Sequence, residues 1–108
     1  MTRTMSEYDQ RQYQFMANLL DGFEKHLLSL SRLINDLEAL LEVLQAPEEA
    51  WKEAFRREWG ILEVVYAVAL DRGEKVLSTE GKKLVEEAVE NMNQLLKQQL
   101  RKCNKSSM

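Results

Sequence analysis

Leu30-Ser31-Arg32-Leu33-Ile34-Asn35-Asp36-Leu37-Glu38-Ala39-Leu40-Leu41-Glu42-Val43-Leu44 is the stretch whose reading decides the fold. Its apolar positions 30, 33, 34, 37, 40, 41 and 44 step by three and four, the repeat of a helix with one buried face. Ser29 and Ser31 are candidate N-caps, and residues 29–32 read as a break from whatever precedes them. An unbroken helix from Tyr8 to Gln45 would be about 57 Å long, a rod that a domain of this size has little use for.

Working upstream, a second amphipathic stretch covers about 8–25. Tyr8, Phe15, Met16, Leu19, Leu20 and Phe23 fall on one stripe, with Ser6 or Asp9 as candidate cap. Gly22 sits in its last turn, where glycine weakens a helix. Downstream, the helix of 30–45 meets Gln45-Ala46-Pro47-Glu48-Glu49. Pro47 disfavours helix for Ala46 and suits the first turn of a new one, and Glu48 and Glu49 complement its dipole.

A third helix is therefore expected over 47–71, with Trp51, Phe55, Trp59, Leu62, Tyr66 and Ala69 on its buried stripe. After Gly60 the apolar residues wrap most of the way round, so this second half is expected to be central. Asp71-Arg72-Gly73 ends it, with Gly73 in a left-handed C′ conformation. Gly60 itself implies close approach of a neighbouring helix, or else a kink that opens a groove beside Trp59.

Ser78 or Thr79 caps a fourth helix over 79–102, carrying Leu84, Val85, Ala88, Val89, Met92, Leu95, Leu96 and Leu100; Asn104–Met108 should fray. The expected architecture is all-α: one domain over 1–108, an antiparallel bundle of about four helices.

Composition narrows the function. The 108 residues suit one domain, and 44% apolar with 31% charged residues is the mix of a globular protein. The 15 Lys and Arg against 18 Asp and Glu give a net charge of −3, so no basic excess favours nucleic acid. No signal peptide is expected, and the apolar run Val64–Leu70 falls far short of the roughly 20 residues that span a bilayer. Cys103, the single cysteine, has no partner in the chain for a disulfide, so the cytoplasm is the expected compartment.

Catalytic and cofactor chemistry find no foothold. A di-metal bundle needs Glu-x-x-His, but Phe23 stands three residues before the single histidine, His26. His26 reads instead as a surface residue or a partner for a helix C-terminal dipole. Serines form no triad motif, and Gly22, Gly60, Gly73 and Gly81 are isolated, so no phosphate loop exists. No catalytic, cofactor or metal residue is assigned, and an enzyme is not expected. Trp51, Phe55 and Trp59, spaced by four, read as core rather than a ligand box, flanked by the charged Glu53, Arg56, Arg57 and Glu58.

Charge is unevenly spread. From Asp36 to Glu53 there are acids at 36, 38, 42, 48, 49 and 53 and one base, Lys52; the tail from Lys97 to Lys105 is basic. An acidic edge would steer toward a basic partner, the alternative being an ordinary solvated face.

The runs Leu33-Ile34-Asn35-Asp36-Leu37-Glu38-Ala39-Leu40-Leu41 and Trp51 through Trp59-Gly60-Ile61-Leu62-Glu63-Val64-Val65-Tyr66-Ala67 resemble small helical bacterial immunity proteins of polymorphic and contact-dependent toxin systems. The resemblance covers about residues 28–73 and carries over no functional residue. It implies a cytoplasmic protein that binds and blocks a cognate toxin domain, which can be basic. Combined with the charge pattern, it makes Asp36, Glu38, Glu42, Glu49 and Glu53 the candidate partner-binding residues. The competing class is a structural or regulatory helical protein that self-associates as a homo-oligomer.

Overall fold

The structure, a computed structural model, describes residues 7–45 and 47–106 as four helices: α1 (Glu7–Glu24), α2 (Leu30–Glu42), α3 (Glu49–Asp71) and α4 (Thr79–Ser106). A break separates α1 from α2 as expected, but it falls at residues 25–29, with Leu30, Ser31 and Arg32 already helical. Ser29 Oγ accepts the Arg32 amide at 3.2 Å and caps the helix. Ser78 does the same for α4, accepting the Gly81 amide at 3.1 Å.

Helix ends correct several expectations. Pro47 stands outside α3, which begins at Glu49 after Glu48 as N-cap. Residues 104–106 stay helical instead of fraying, while 107 and 108 lie outside the described residues, as do the cap candidate Ser6 and the side chain of Cys103. Asp9 does not cap α1. It is buried, and its Oδ1 accepts the Gln45 amide at 2.8 Å, tying the connection after α2, which ends at Glu42 and not at 45, to the start of α1.

Two helices stop in the same way. At α1 the Leu27 amide reaches Gly22 O at 2.8 Å and the His26 amide reaches Phe23 O at 3.0 Å, with His26 at φ 63°. At α3 the Glu74 amide reaches Ala69 O at 2.9 Å and the Gly73 amide reaches Leu70 O at 3.0 Å, with Gly73 at φ 68°. Both are paired closures around a left-handed C′ residue. Histidine holds that conformation at a cost of roughly 1 kcal/mol that glycine avoids. Gly22 lies beside the first closure, where a Cβ would stand 2.9 Å from Leu28 Cδ2 and would need the end of that side chain to shift.

The helices form a ring in which α1 packs on α2 and α4, and α3 packs on α2 and α4. Cross-helix bonds fix their directions. The start of α3 meets the end of α4 through Trp51 Nε1, which donates to Leu95 O at 2.9 Å. The start of α1 meets the end of α4 through Gln99 Nε2 and Tyr13 Oη at 3.5 Å. With Asp9 on Gln45, these contacts make an up-down-up-down four-helix bundle. Its centre is fully buried: Met16 and Leu20 of α1, Leu33 and Leu37 of α2, Phe55 and Leu62 of α3, and Met92 of α4.

The buried face of α1 is rotated from the expected stripe. Asp9, Gln12, Tyr13, Met16 and Leu20 turn inward, while Phe15 is half exposed. The polar residues were invisible as core because each needs a partner that only the folded ring supplies. Asp9→Ala should cost about 1–3 kcal/mol, the range for stranding one partner of a part-buried hydrogen bond. Urea denaturation checks it; a loss under about 0.5 kcal/mol would mean that water replaces the carboxylate at Gln45.

Helix lengths are unequal. Trp59 Nε1 donates to Ile34 O at 2.9 Å, so α3 beyond about residue 63 runs past the start of α2. The second half of α3 therefore buries only its inner side, through Leu62, Val65 and Ala69, instead of being covered all round. Leu70, eleven residues after Trp59 and so on the flank that α2 would cover, is 61% exposed, while Val64 at 62% and Val68 at 41% are open on the outer side, away from α2. A Cβ added at Gly60 would meet nothing within 4 Å, so no neighbouring helix approaches it.

Candidate partner-binding site

Helical spacing divides the five candidate carboxylates. Glu38 and Glu42, one turn apart on α2, lie on the flank toward α3, where Glu42 meets Arg56 at 3.7 Å. Glu49 and Glu53, one turn apart on α3, lie on the flank toward α2, close to Arg56 in the helical repeat. Asp36 faces the other way. It pairs with Arg32 at 3.4 Å and borders Phe15, Asn18, Leu19 and Leu40 on the α1 side. Four of the five thus share the α2–α3 face, and Asp36 does not belong with them.

Arg56 is held in place from below, its guanidinium carbon 5.9 Å from the centre of the Trp59 ring. It neutralises part of the face and, among the described residues, forms its ion pair with Glu42. Glu38, Glu49 and Glu53 are exposed and make no ion pair among the described residues. The uneven charge of the sequence is also partly cancelled in three dimensions, because Lys102 of the basic tail pairs with Glu48 at the start of α3. These are exposed pairs, worth about 0–1 kcal/mol each, so they tune the surface potential more than the stability.

A second feature comes from the unequal helices. Where α1 ends, the 72–78 connection leaves a groove of about 710 Å³ beside α4. Phe23, Val76, Val85 and Val89 supply its apolar lining, and Glu24, Glu86 and Glu90 stand with Lys82 at its rim. Sequence reasoning missed it, since Val76 lies in a connection and only the offset between hairpins turns its side chain into a wall.

Among the described residues no three His, Cys, Asp or Glu side chains are grouped to hold a metal, and no helix is long and apolar enough to cross a membrane. Compared with known proteins, the chain matches no family model, no curated protein and no solved structure.

Proposed function

We propose that this chain is a non-enzymatic binding protein that blocks a cognate basic toxin domain, as its resemblance to bacterial immunity proteins implies. The observation that carries the contact surface is the set Glu38, Glu49 and Glu53, exposed on the α2–α3 face without ion-pair partners among the described residues. Unpaired carboxylates on a rigid helical face attract a basic partner over several ångströms and orient its approach. Glu42 contributes less, being shared with Arg56. A protein that neutralises a toxin inside the cell that makes it would work in the cytoplasm, with no call for nucleic acid, membrane or cofactor.

Co-purification with the product of the adjacent toxin gene tests the function, followed by association kinetics at two ionic strengths. The double variant Glu38→Lys, Glu53→Lys should keep its fold, since changes at solvated positions usually fall within about ±0.5 kcal/mol. It should slow association about tenfold or more at low salt, and the wild-type rate should fall steeply as salt is added. Failure of any neighbouring product to bind would remove the immunity reading. Binding that survives both reversals with unchanged salt dependence would remove the surface alone.

A further inference from the structure

The outer side of the α3–α4 hairpin, away from α1 and α2, carries an unpartnered apolar row with a charge pattern. On α3, Arg57, Ile61, Val64, Val68 and Arg72 recur at steps of four, three, four and four, so they line one face. Val64 is 62% exposed and Val68 41%. On α4, Glu80, Leu84 and Glu87 recur at four and three, with Leu84 43% exposed. Val64, Val68, Arg72, Glu80 and Leu84 edge one shallow depression between the helices. The α3 row is therefore basic at both ends, and the α4 row is acidic on both sides of its leucine.

The heights of the charges differ by about one helical turn, within the reach of an arginine side chain. Asn91 Nδ2 donates to Glu58 Oε1 at 3.2 Å, which levels Arg57 with the turn of α4 that follows Glu87. Arg72 and Glu80 border the same depression. Arg57, Arg72, Glu80 and Glu87 make no ion pair among the described residues. Exposed apolar side chains at helical spacing, bracketed by charges that find no partner at home, are the pattern of a helix-packing interface.

We propose that this face pairs with a second copy of the chain, about a two-fold axis parallel to the helices. That operation lays α3 of one copy across α4 of the other at equal height, so Arg57 meets Glu87 and Arg72 meets Glu80 on both sides of the axis. The valines of each copy then close over the leucine of the other. The alternative axis, perpendicular to the helices, would put α3 on α3 and bring Arg57 against Arg72, a like-charge contact that disfavours it. From Arg57 to Arg72 the row is about 22 Å long. Two helices wide, it gives a total buried area on the order of 1,200 Å², the lower end for a specific interface. The pairing is accordingly reversible and depends on concentration. It uses a different face from the α2–α3 carboxylates and stands whether or not a toxin is bound there.

Sedimentation equilibrium of the full chain over a range of concentrations tests it. The wild type should show a monomer–dimer equilibrium. Arg72→Glu and Glu80→Arg should each weaken it about tenfold, because each sets like charges opposite one another twice per dimer. The double variant Arg72→Glu, Glu80→Arg restores opposite signs across the axis and should recover most of the affinity. Circular dichroism establishes that each variant is folded. A wild type that stays monomeric up to about 1 mM overturns the proposal, and so does a dimer indifferent to the single reversals or not rescued by the double. The Glu38→Lys, Glu53→Lys variant should dimerise like the wild type, which separates this surface from the toxin-binding one.

Discussion

Trp59→Ala should destabilise the protein by about 3–5 kcal/mol, the range for removing a large buried aromatic. Trp59 is 7% exposed and sits where α3 crosses α2, with its indole N–H on Ile34 O at 2.9 Å. Truncation removes the apolar surface, leaves a cavity between the two helices and cuts the bond that sets their register. It also takes away the ring beneath the Arg56 guanidinium, freeing that side chain from its place beside Glu42. Against a total stability of about 5–15 kcal/mol, a loss of this size takes a large share. Trp59→Phe separates the contributions: it keeps much of the area and loses the donor, and should cost about 1–2 kcal/mol. Chemical denaturation of both variants decides it. A loss under about 1 kcal/mol for alanine would mean that the ring contributes little to the fold and is free to serve a partner.

Phe55→Ala should cost as much, again about 3–5 kcal/mol. Phe55 is fully buried and stacks on Trp51 with ring centres 5.1 Å apart and planes 20° from parallel. Trp51 in turn takes Tyr13 edge-on at 5.0 Å and 75°. The three rings join α1 to α3 through the middle of the bundle, where direct helix packing does not. Removing the innermost ring should loosen the other two, which near-ultraviolet circular dichroism reads independently of the denaturation midpoint. Phe55→Leu keeps most of the volume and should cost less than about 1.5 kcal/mol. If alanine costs no more than leucine, the site refills by collapse and the ring stack carries little energy.

The positions of Trp51, Phe55 and Trp59 were legible because a spacing of four can put three large rings on one helical face and nowhere else. The caps at Ser29 and Ser78 and the left-handed Gly73 were legible for the same kind of reason: each satisfies a local backbone need. What the sequence did not reveal depends on how long the neighbours are. Val64-Val65-Tyr66-Ala67-Val68-Ala69-Leu70 looks like a helix buried all round, yet only Val65 and Ala69 are buried: α2 begins too late to cover Leu70, and Val64 and Val68 face outward, away from α2. Phe15 fits an apolar stripe better than Tyr13 does, because the polar Asp9 and Gln12 beside Tyr13 disguise the inward face. The acidic candidates divided on similar grounds. Asp36 and Glu38 are two residues apart in the chain, and on a helix that separation sends them to opposite flanks.

The ring of helices also has a consequence for how the chain assembles. Three of its seams join helices that follow one another, and the α1–α4 seam joins the first helix to the fourth. Bundles wired through neighbours have low contact order, the class that folds in microseconds to milliseconds. The entropy of shutting the large loop is spent once and rises only slowly with its length. That closing seam is where Gln99 meets Tyr13, next to the buried Asp9. Leucine against leucine would tolerate a slip by one turn, whereas the Trp51 indole N–H on Leu95 O at 2.9 Å favours α4 in a single register. The last helix of the sequence is thereby held to one position along its neighbours.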